Sequence, residues 1–154
     1  MTGKNKIEEI NFSEDIKRIV DQSPITLLTS YRGKWCPFCR QYLSELNRVL
    51  KSEGDVLIVG VSVDNTTECQ QLAKKLKLEF DLIPDENLVM RDQLDVKTGK
   101  GHGKEAYLQP AVFLYNNGEL VFQWVQTPKM LNFGGAINRL PVQQIFEEVQ
   151  KLQM

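Results

Sequence analysis

Two cysteines three residues apart, in Trp35-Cys36-Pro37-Phe38-Cys39, constrain this chain more than any other feature. The preceding run Ile25-Thr26-Leu27-Leu28-Thr29-Ser30-Tyr31 reads as a buried strand. Pro37 suits a first helical turn, where its missing N–H costs nothing. The predicted local order is therefore strand, short turn, Cys-X-X-Cys, helix. At a helix start, unpaired backbone N–H groups and the positive end of the dipole favour a thiolate. Cys36 is expected to titrate below the free value of about 8.5, between roughly 3.5 and 7.5. Cys39, one turn in, is expected to be more buried and to act as the resolving thiol. Half of a zinc site is an alternative for this spacing, but tetrahedral zinc needs two more ligands. The chain offers only Cys69 and His102, at unrelated spacing, so no metal is expected. Two inert neighbouring thiols are the other alternative, and the preceding strand and intervening proline argue against it.

With 154 residues and 42% apolar content, the chain can build one domain with a proper core and is too short for two. Nineteen basic residues against twenty acidic ones leave a formal charge of −1. That balance gives no electrostatic footprint for nucleic acid or an anionic membrane, so neither is an expected partner. The polar start, Met1 to Lys6, has no apolar segment behind it, and the longest apolar run, Val56 to Val63, cannot span a bilayer. These features predict a soluble, cytoplasmic protein with a polar segment over 1–12 and a single domain over 13–154. An odd cysteine count suits a redox pair plus one structural thiol rather than a disulfide framework.

Apolar spacing predicts a helix over 13–22 capped by Ser13, and a second from Phe38 to near Gly54. The uninterrupted apolar run Val56–Val63 is that of a central parallel strand. A helix over 66–78 places Cys69, Leu72, Ala73 and Leu76 on one face, which favours burial of Cys69. Phe80 to Ile83 reads as a short extended piece, followed by a helix from Glu86 to about Leu94 capped by Asp85. The Gly-rich stretch 98–104 is expected to be an exposed, mobile loop with His102, the only histidine, as surface decoration. It lacks the Gly-Lys-Ser/Thr ending of a phosphate loop. Asn117-Gly118 between two strand-like runs, 111–115 and 119–124, predicts an antiparallel hairpin. After an irregular connection over 126–140, a closing helix from Pro141 carries Val142, Ile145, Phe146, Val149 and Leu152 on one stripe.

This order, with Cys-X-X-Cys heading the first long helix, resembles the thioredoxin-like fold: an α/β domain with a central mixed β-sheet flanked by helices. Trp35 to Cys39 is similar to the thioredoxin and glutaredoxin active-site pattern. Gln109-Pro110 with the following 111–119 hairpin resembles the superfamily's cis-proline segment. Tyr31 to Cys39 and Asp81-Leu82-Ile83-Pro84-Asp85 further resemble the peroxiredoxin-like branch, the alkyl hydroperoxide reductase and thiol-specific antioxidant group. The likeness covers about residues 13 to 152, nearly the whole domain. Members of that branch carry a threonine three positions before the peroxidatic cysteine; here that place is Gly33. Their arginine lies just ahead of the strand at 111, where residues 105–110 contain none. The buried aspartate of thioredoxins is replaced by Ser30.

The leading expectation is an enzyme of thiol-disulfide exchange. Cys36 attacks a protein or small-molecule disulfide and Cys39 releases the reduced product. The resemblance implies substrate contacts at Trp35 and at the backbone of Gln109 beside a cis Pro110. Arg32 and Arg40 would stabilise the thiolate, and Lys34 adds a further positive charge. The alternative is a thiol-dependent peroxidase, with Cys36 oxidised by a hydroperoxide and Cys39 resolving. A third reading is a non-catalytic redox sensor docking partners through 126–140, with Met130, Leu131 and Phe133. The first two need an external thiol reductant, and none needs a cofactor.

Overall fold

A computed structural model describes residues 16–51, 53–126 and 139–153. The expected cap Ser13, the polar segment over 1–12 and the docking residues Met130, Leu131 and Phe133 lie outside the described residues. The elements run α1 (Ile16–Val20), β1 (Ile25–Ser30), α2 (Pro37–Leu50), β2 (Val56–Ser62), α3 (Thr66–Lys75), β3 (Asp81–Pro84) and α4 (Val89–Leu94). There follow β4 (Thr98–Gly101), β5 (Lys104–Leu108), β6 (Ala111–Asn116), β7 (Glu119–Val125) and α5 (Val142–Gln153).

Five strands form one mixed sheet in the order β3-β2-β1-β6-β7. β1 pairs parallel with β2 and β2 with β3, while β6 runs antiparallel to both β1 and β7. Because side chains alternate across a strand, each central strand feeds two cores. On one face Leu27, Ile58, Val112 and Leu114 meet α2, α3 and α5 through Leu43, Leu46, Leu72, Ile145 and Val149. On the other, Leu28, Val59, Val61 and Phe113 meet α1 and α4 through Ile19, Val20 and Met90. Both faces of β1 and β2 are thus covered, which is why every residue of both strands is buried with no solvent-facing alternation, and why the hydroxyls of Thr26, Thr29 and Ser30 in β1 each donate to a backbone carbonyl. The architecture is the single α/β domain with a central mixed sheet flanked by helices, a thioredoxin-like fold.

Local chemistry sets several boundaries. Asn65 and Glu68 form a reciprocal capping box that starts α3. Asp85 caps α4 as expected, but from further upstream. Its carboxylate accepts from Val89 N and Met90 N at 2.8 and 3.0 Å, so the helix begins at Val89 rather than Glu86. Leu88, at φ +56, makes no side-chain cap, leaving Asp85 to satisfy those N–H groups.

The Gly-rich stretch departs from the expectation of a mobile loop: β4 and β5 form a two-stranded antiparallel hairpin. His102 and Gly103, at φ +54 and +80, are the two central residues of its tight turn. Positive φ at both positions is what a type I′ turn requires, and glycine supplies one at no steric cost. Asn117 and Gly118, at φ +52 and +82, make the corresponding turn between β6 and β7.

No helix among the described residues is long and apolar enough to cross a membrane. Among the same residues, no three His, Cys, Asp or Glu side chains are grouped to hold a metal ion.

Candidate active site

Cys36 is the N-cap of α2, in extended backbone conformation, and Pro37 opens the first turn. The turn is fixed by Cys36 N donating to the Gly33 carbonyl. Cys39 N donates back to Cys36 Sγ at 3.4 Å. No disulfide joins the three cysteines. Cys36 and Cys39 are both only 1% exposed at the surface, and Cys39 is the more deeply enclosed of the two, as expected.

Arg139, in the segment leading into α5, lies against both sulfurs. Its Nη2 donates to Cys39 Sγ at 3.1 Å and reaches Cys36 Sγ at 3.9 Å. Tyr42 Oη, on α2, donates to the carbonyl of the next residue, Leu140, and Leu140 is buried in the core. The guanidinium is therefore tethered to the helix that carries the thiols. The resemblance places the family's arginine just ahead of the strand at 111, and in this chain the arginine at the thiols comes instead from position 139. Its only local signal was a place beside an apolar residue at the head of the closing helix.

The electrostatics separate the two thiols. Cys36 is lowered to about 5, first by the hydrogen bond from the Cys39 thiol; burial opposes this, and the Cys39 backbone N–H and the charges of Arg139 and Arg32 add to it. Cys39 is pushed well up, chiefly by burial and by its hydrogen bond to Cys36. One sulfur is the thiolate and the other holds its proton. Alkylation by iodoacetamide is expected to follow ionisation of Cys36, with a midpoint near pH 5, where an unperturbed thiol would give about 8.5. A midpoint above pH 8 would contradict the assignment. Cys69 is buried, with Tyr31 Oη at 3.7 Å, and burial raises it to about 11, so it does not compete as a nucleophile.

Arg32 is buried between two rings, its guanidinium carbon 4.9 Å from the centroids of both Trp35 and Tyr107. It donates to Tyr107 Oη at 2.7 Å, and its backbone N donates to Cys39 Sγ at 3.3 Å. Its charge also favours the Cys36 thiolate. Arg40 is turned elsewhere: its guanidinium donates to the Lys34 carbonyl at 2.6 Å. Trp35 is half-buried and stacks on His102 with ring centroids 3.6 Å apart. His102 is exposed, as expected, but it also stacks on the residue that precedes Cys36.

Gly33 has a steric reason. A Cβ there would lie 2.4 Å from Trp35 Nε1, so the indole occupies the space a threonine would need. Ser30 Oγ donates to the Gln109 carbonyl at 2.7 Å and is spent on the fold.

Gln109 and Pro110 need correction. No cis peptide bond occurs among the described residues, so Pro110 is trans. Gln109 N–H donates to the Lys97 carbonyl at 2.8 Å, and its own carbonyl accepts from Ser30. Both backbone groups are engaged, so the open pairing edge expected there for an extended substrate is absent.

A sequence profile described as the AhpC/TSA family matches residues 6–123. No curated protein matches the chain. Among solved structures, the chain is similar to the bacterioferritin comigratory protein of Xanthomonas campestris, at 17% identity over 84% of this chain and 80% of that one, with a TM-score of 0.65. A peroxiredoxin-like protein from Aquifex aeolicus gives 14% identity over 84% and 72%, with a TM-score of 0.70. Peroxidoxin BcpB from Mycobacterium tuberculosis gives 14% identity over 88% and 82%, with a TM-score of 0.65. These likenesses concern the fold.

Proposed function

The chain belongs to the AhpC/TSA family and is a thiol-based redox enzyme, and from that premise we propose that it is a thiol-dependent peroxidase, with Cys36 peroxidatic and Cys39 resolving. The observation that carries this reading is the Arg139 guanidinium against both sulfurs. In sequence, the peroxide-activating threonine and arginine are missing from their usual places, at Gly33 and within 105–110. Arg139 supplies a cation from a part of the chain where none was sought. Two further features weigh against a protein disulfide as substrate. Cys36 is 1% exposed, within reach of a two-oxygen oxidant more readily than of a second backbone. The backbone of Gln109 has no group left to bind an extended chain.

In the proposed reaction the Cys36 thiolate attacks one peroxide oxygen. The O–O bond breaks, and the leaving oxygen departs as an alcohol or water after taking a proton from solvent. Arg139 offers a planar donor fork where negative charge develops on the departing oxygen. Cys39 then attacks the sulfur of the Cys36 sulfenic acid, the S–O bond breaks, and hydroxide leaves as water with the proton that Cys39 has held. An external thiol returns two electrons to the disulfide.

The test is to titrate reduced protein with one equivalent of hydrogen peroxide and follow both thiols by mass spectrometry, then to assay turnover with excess dithiothreitol. A Cys36–Cys39 disulfide and sustained peroxide consumption are expected. Reduction of insulin without peroxide consumption would return the assignment to disulfide exchange.

A further inference from the structure

Beside the thiols, but lined by neither of them, is a cleft of about 470 Å³, within the range of about 300–1,000 Å³ typical of small-molecule sites. Lys34 and Arg40 border it from the active-site loop and α2, Lys75 from α3 and Lys104 from β5. Glu68 is the one carboxylate among the described lining residues, although the whole chain carries a formal charge of −1. Positive charge is therefore concentrated here against the average of the molecule.

Internal pairing does not consume it. Lys104 lies 3.9 Å from the buried carboxylate of Asp64 and 3.6 Å from Glu68, and Lys34 lies 4.0 Å from Glu68. Arg40 and Lys75 face no carboxylate within the described lining. The same contacts make the cleft preformed. Asp64 accepts from Lys34 N at 2.8 Å, Lys34 Nζ donates to Gln71 at 3.2 Å, and the stacked rings of Trp35 and His102 supply a flat wall. Trp35, in this wall, is the residue before Cys36, so the cleft adjoins the active-site loop.

We infer that this cleft binds the carboxylate of a small anionic thiol and so selects the reductant that regenerates the enzyme. The inference rests on the peroxidase reading for its place in the cycle. Peroxide needs no such cleft, since Arg139 already meets the sulfurs. The reductant does, because its sulfur has to be aligned on Cys36. One thiolate attacks Cys36 Sγ, and the bond to Cys39 breaks. Cys39 leaves and takes up a proton, and a mixed disulfide remains. A second molecule of the thiol attacks the ligand's sulfur, giving its symmetrical disulfide and the Cys36 thiolate, with its own proton passing to solvent. Two thiols are oxidised and one disulfide is reduced. Burial that keeps Cys39 protonated slows its return attack on the mixed disulfide.

The experiment uses protein oxidised to the Cys36–Cys39 disulfide with diamide, so its outcome does not depend on peroxidase activity. Reduction is followed by stopped-flow tryptophan fluorescence with N-acetylcysteine (anionic), 2-mercaptoethanol (neutral) and cysteamine (cationic), each rate expressed per thiolate. The anionic thiol is expected to exceed the neutral one by about tenfold at low salt, and the cationic thiol to be the slowest. The advantage is expected to shrink toward one at about 0.5 M salt. Lys75→Glu, at an exposed position, is expected to cut the ratio by about threefold. Lys151→Glu, the same charge change on α5 outside the cleft, is expected to leave it intact. A wild-type ratio near one, or a ratio unmoved by Lys75→Glu, overturns the inference. So does charge preference in the oxidising step alone, toward a fatty-acid hydroperoxide over tert-butyl hydroperoxide, because the cleft would then serve the oxidant.

Discussion

Cys36→Ser is expected to lower hydroperoxide turnover by about 10³-fold or more, because a serine hydroxyl is not ionised at neutral pH and the attacking group is removed outright. The same substitution is expected to abolish reduction of a model disulfide, since both chemistries begin with the same sulfur. Cys39→Ser serves as the contrast. It is expected to consume one equivalent of peroxide and stop at a sulfenic acid on Cys36 that dimedone traps. Circular dichroism and the urea midpoint would show that both variants remain folded. Cys36→Ser retaining turnover within tenfold of wild type would remove the nucleophile assignment altogether.

The next largest effect is expected at Arg139. Arg139→Met keeps a long side chain over the sulfurs and deletes the charge and its donors. The rate constant for oxidation of reduced protein by hydrogen peroxide is expected to fall by about 10²–10³-fold, the usual size for loss of a preorganised donor. The iodoacetamide profile supplies the second readout. The Arg139 charge is one of the groups that lower Cys36, so the alkylation midpoint is expected to move upward from about 5 in Arg139→Met. Arg139→Lys restores the charge without the planar fork and is expected to recover the midpoint more fully than the peroxide rate. An Arg139→Met enzyme with an unchanged peroxide rate would show that the guanidinium acts on neither oxygen and serves only to hold α5 in place.

The two substitutions divide the chemistry between local and distant residues. Cys36 acquires its position from its immediate neighbours: the β1 strand, the proline at the first turn and the N-terminus of α2. Arg139 is 103 residues away from Cys36 and arrives because α5 packs on α2 in the same core. The stripe Val142, Ile145 and Val149 could be read as a buried helical face, but which neighbour it meets depends on how the whole sheet is covered.

A similar division holds for the wall of the site. Thr98 to Lys104 has a composition that reads as loop, and only pairing of β4 with β5 turns it into a hairpin that sets His102 on Trp35. Gly33 reads as a departure from the peroxidase pattern until the indole is seen occupying the space of its missing side chain.

By itself the sequence determined the order along the chain of the five strands of the main sheet, the buried central strands, the Asn117-Gly118 hairpin, the Cys-X-X-Cys at the head of α2 and the stripe that buries Cys69. All of these follow from interactions within about ten residues, where periodicity, capping and turn preference act. Tertiary structure alone decided that Arg139 meets the thiols, that Arg32 is clamped between Trp35 and Tyr107, and that both backbone groups of Gln109 are bonded beside a trans Pro110. Those contacts join segments far apart in the chain. Their energies arise only after the two faces of the sheet have been covered, so no local pattern of residues encodes them.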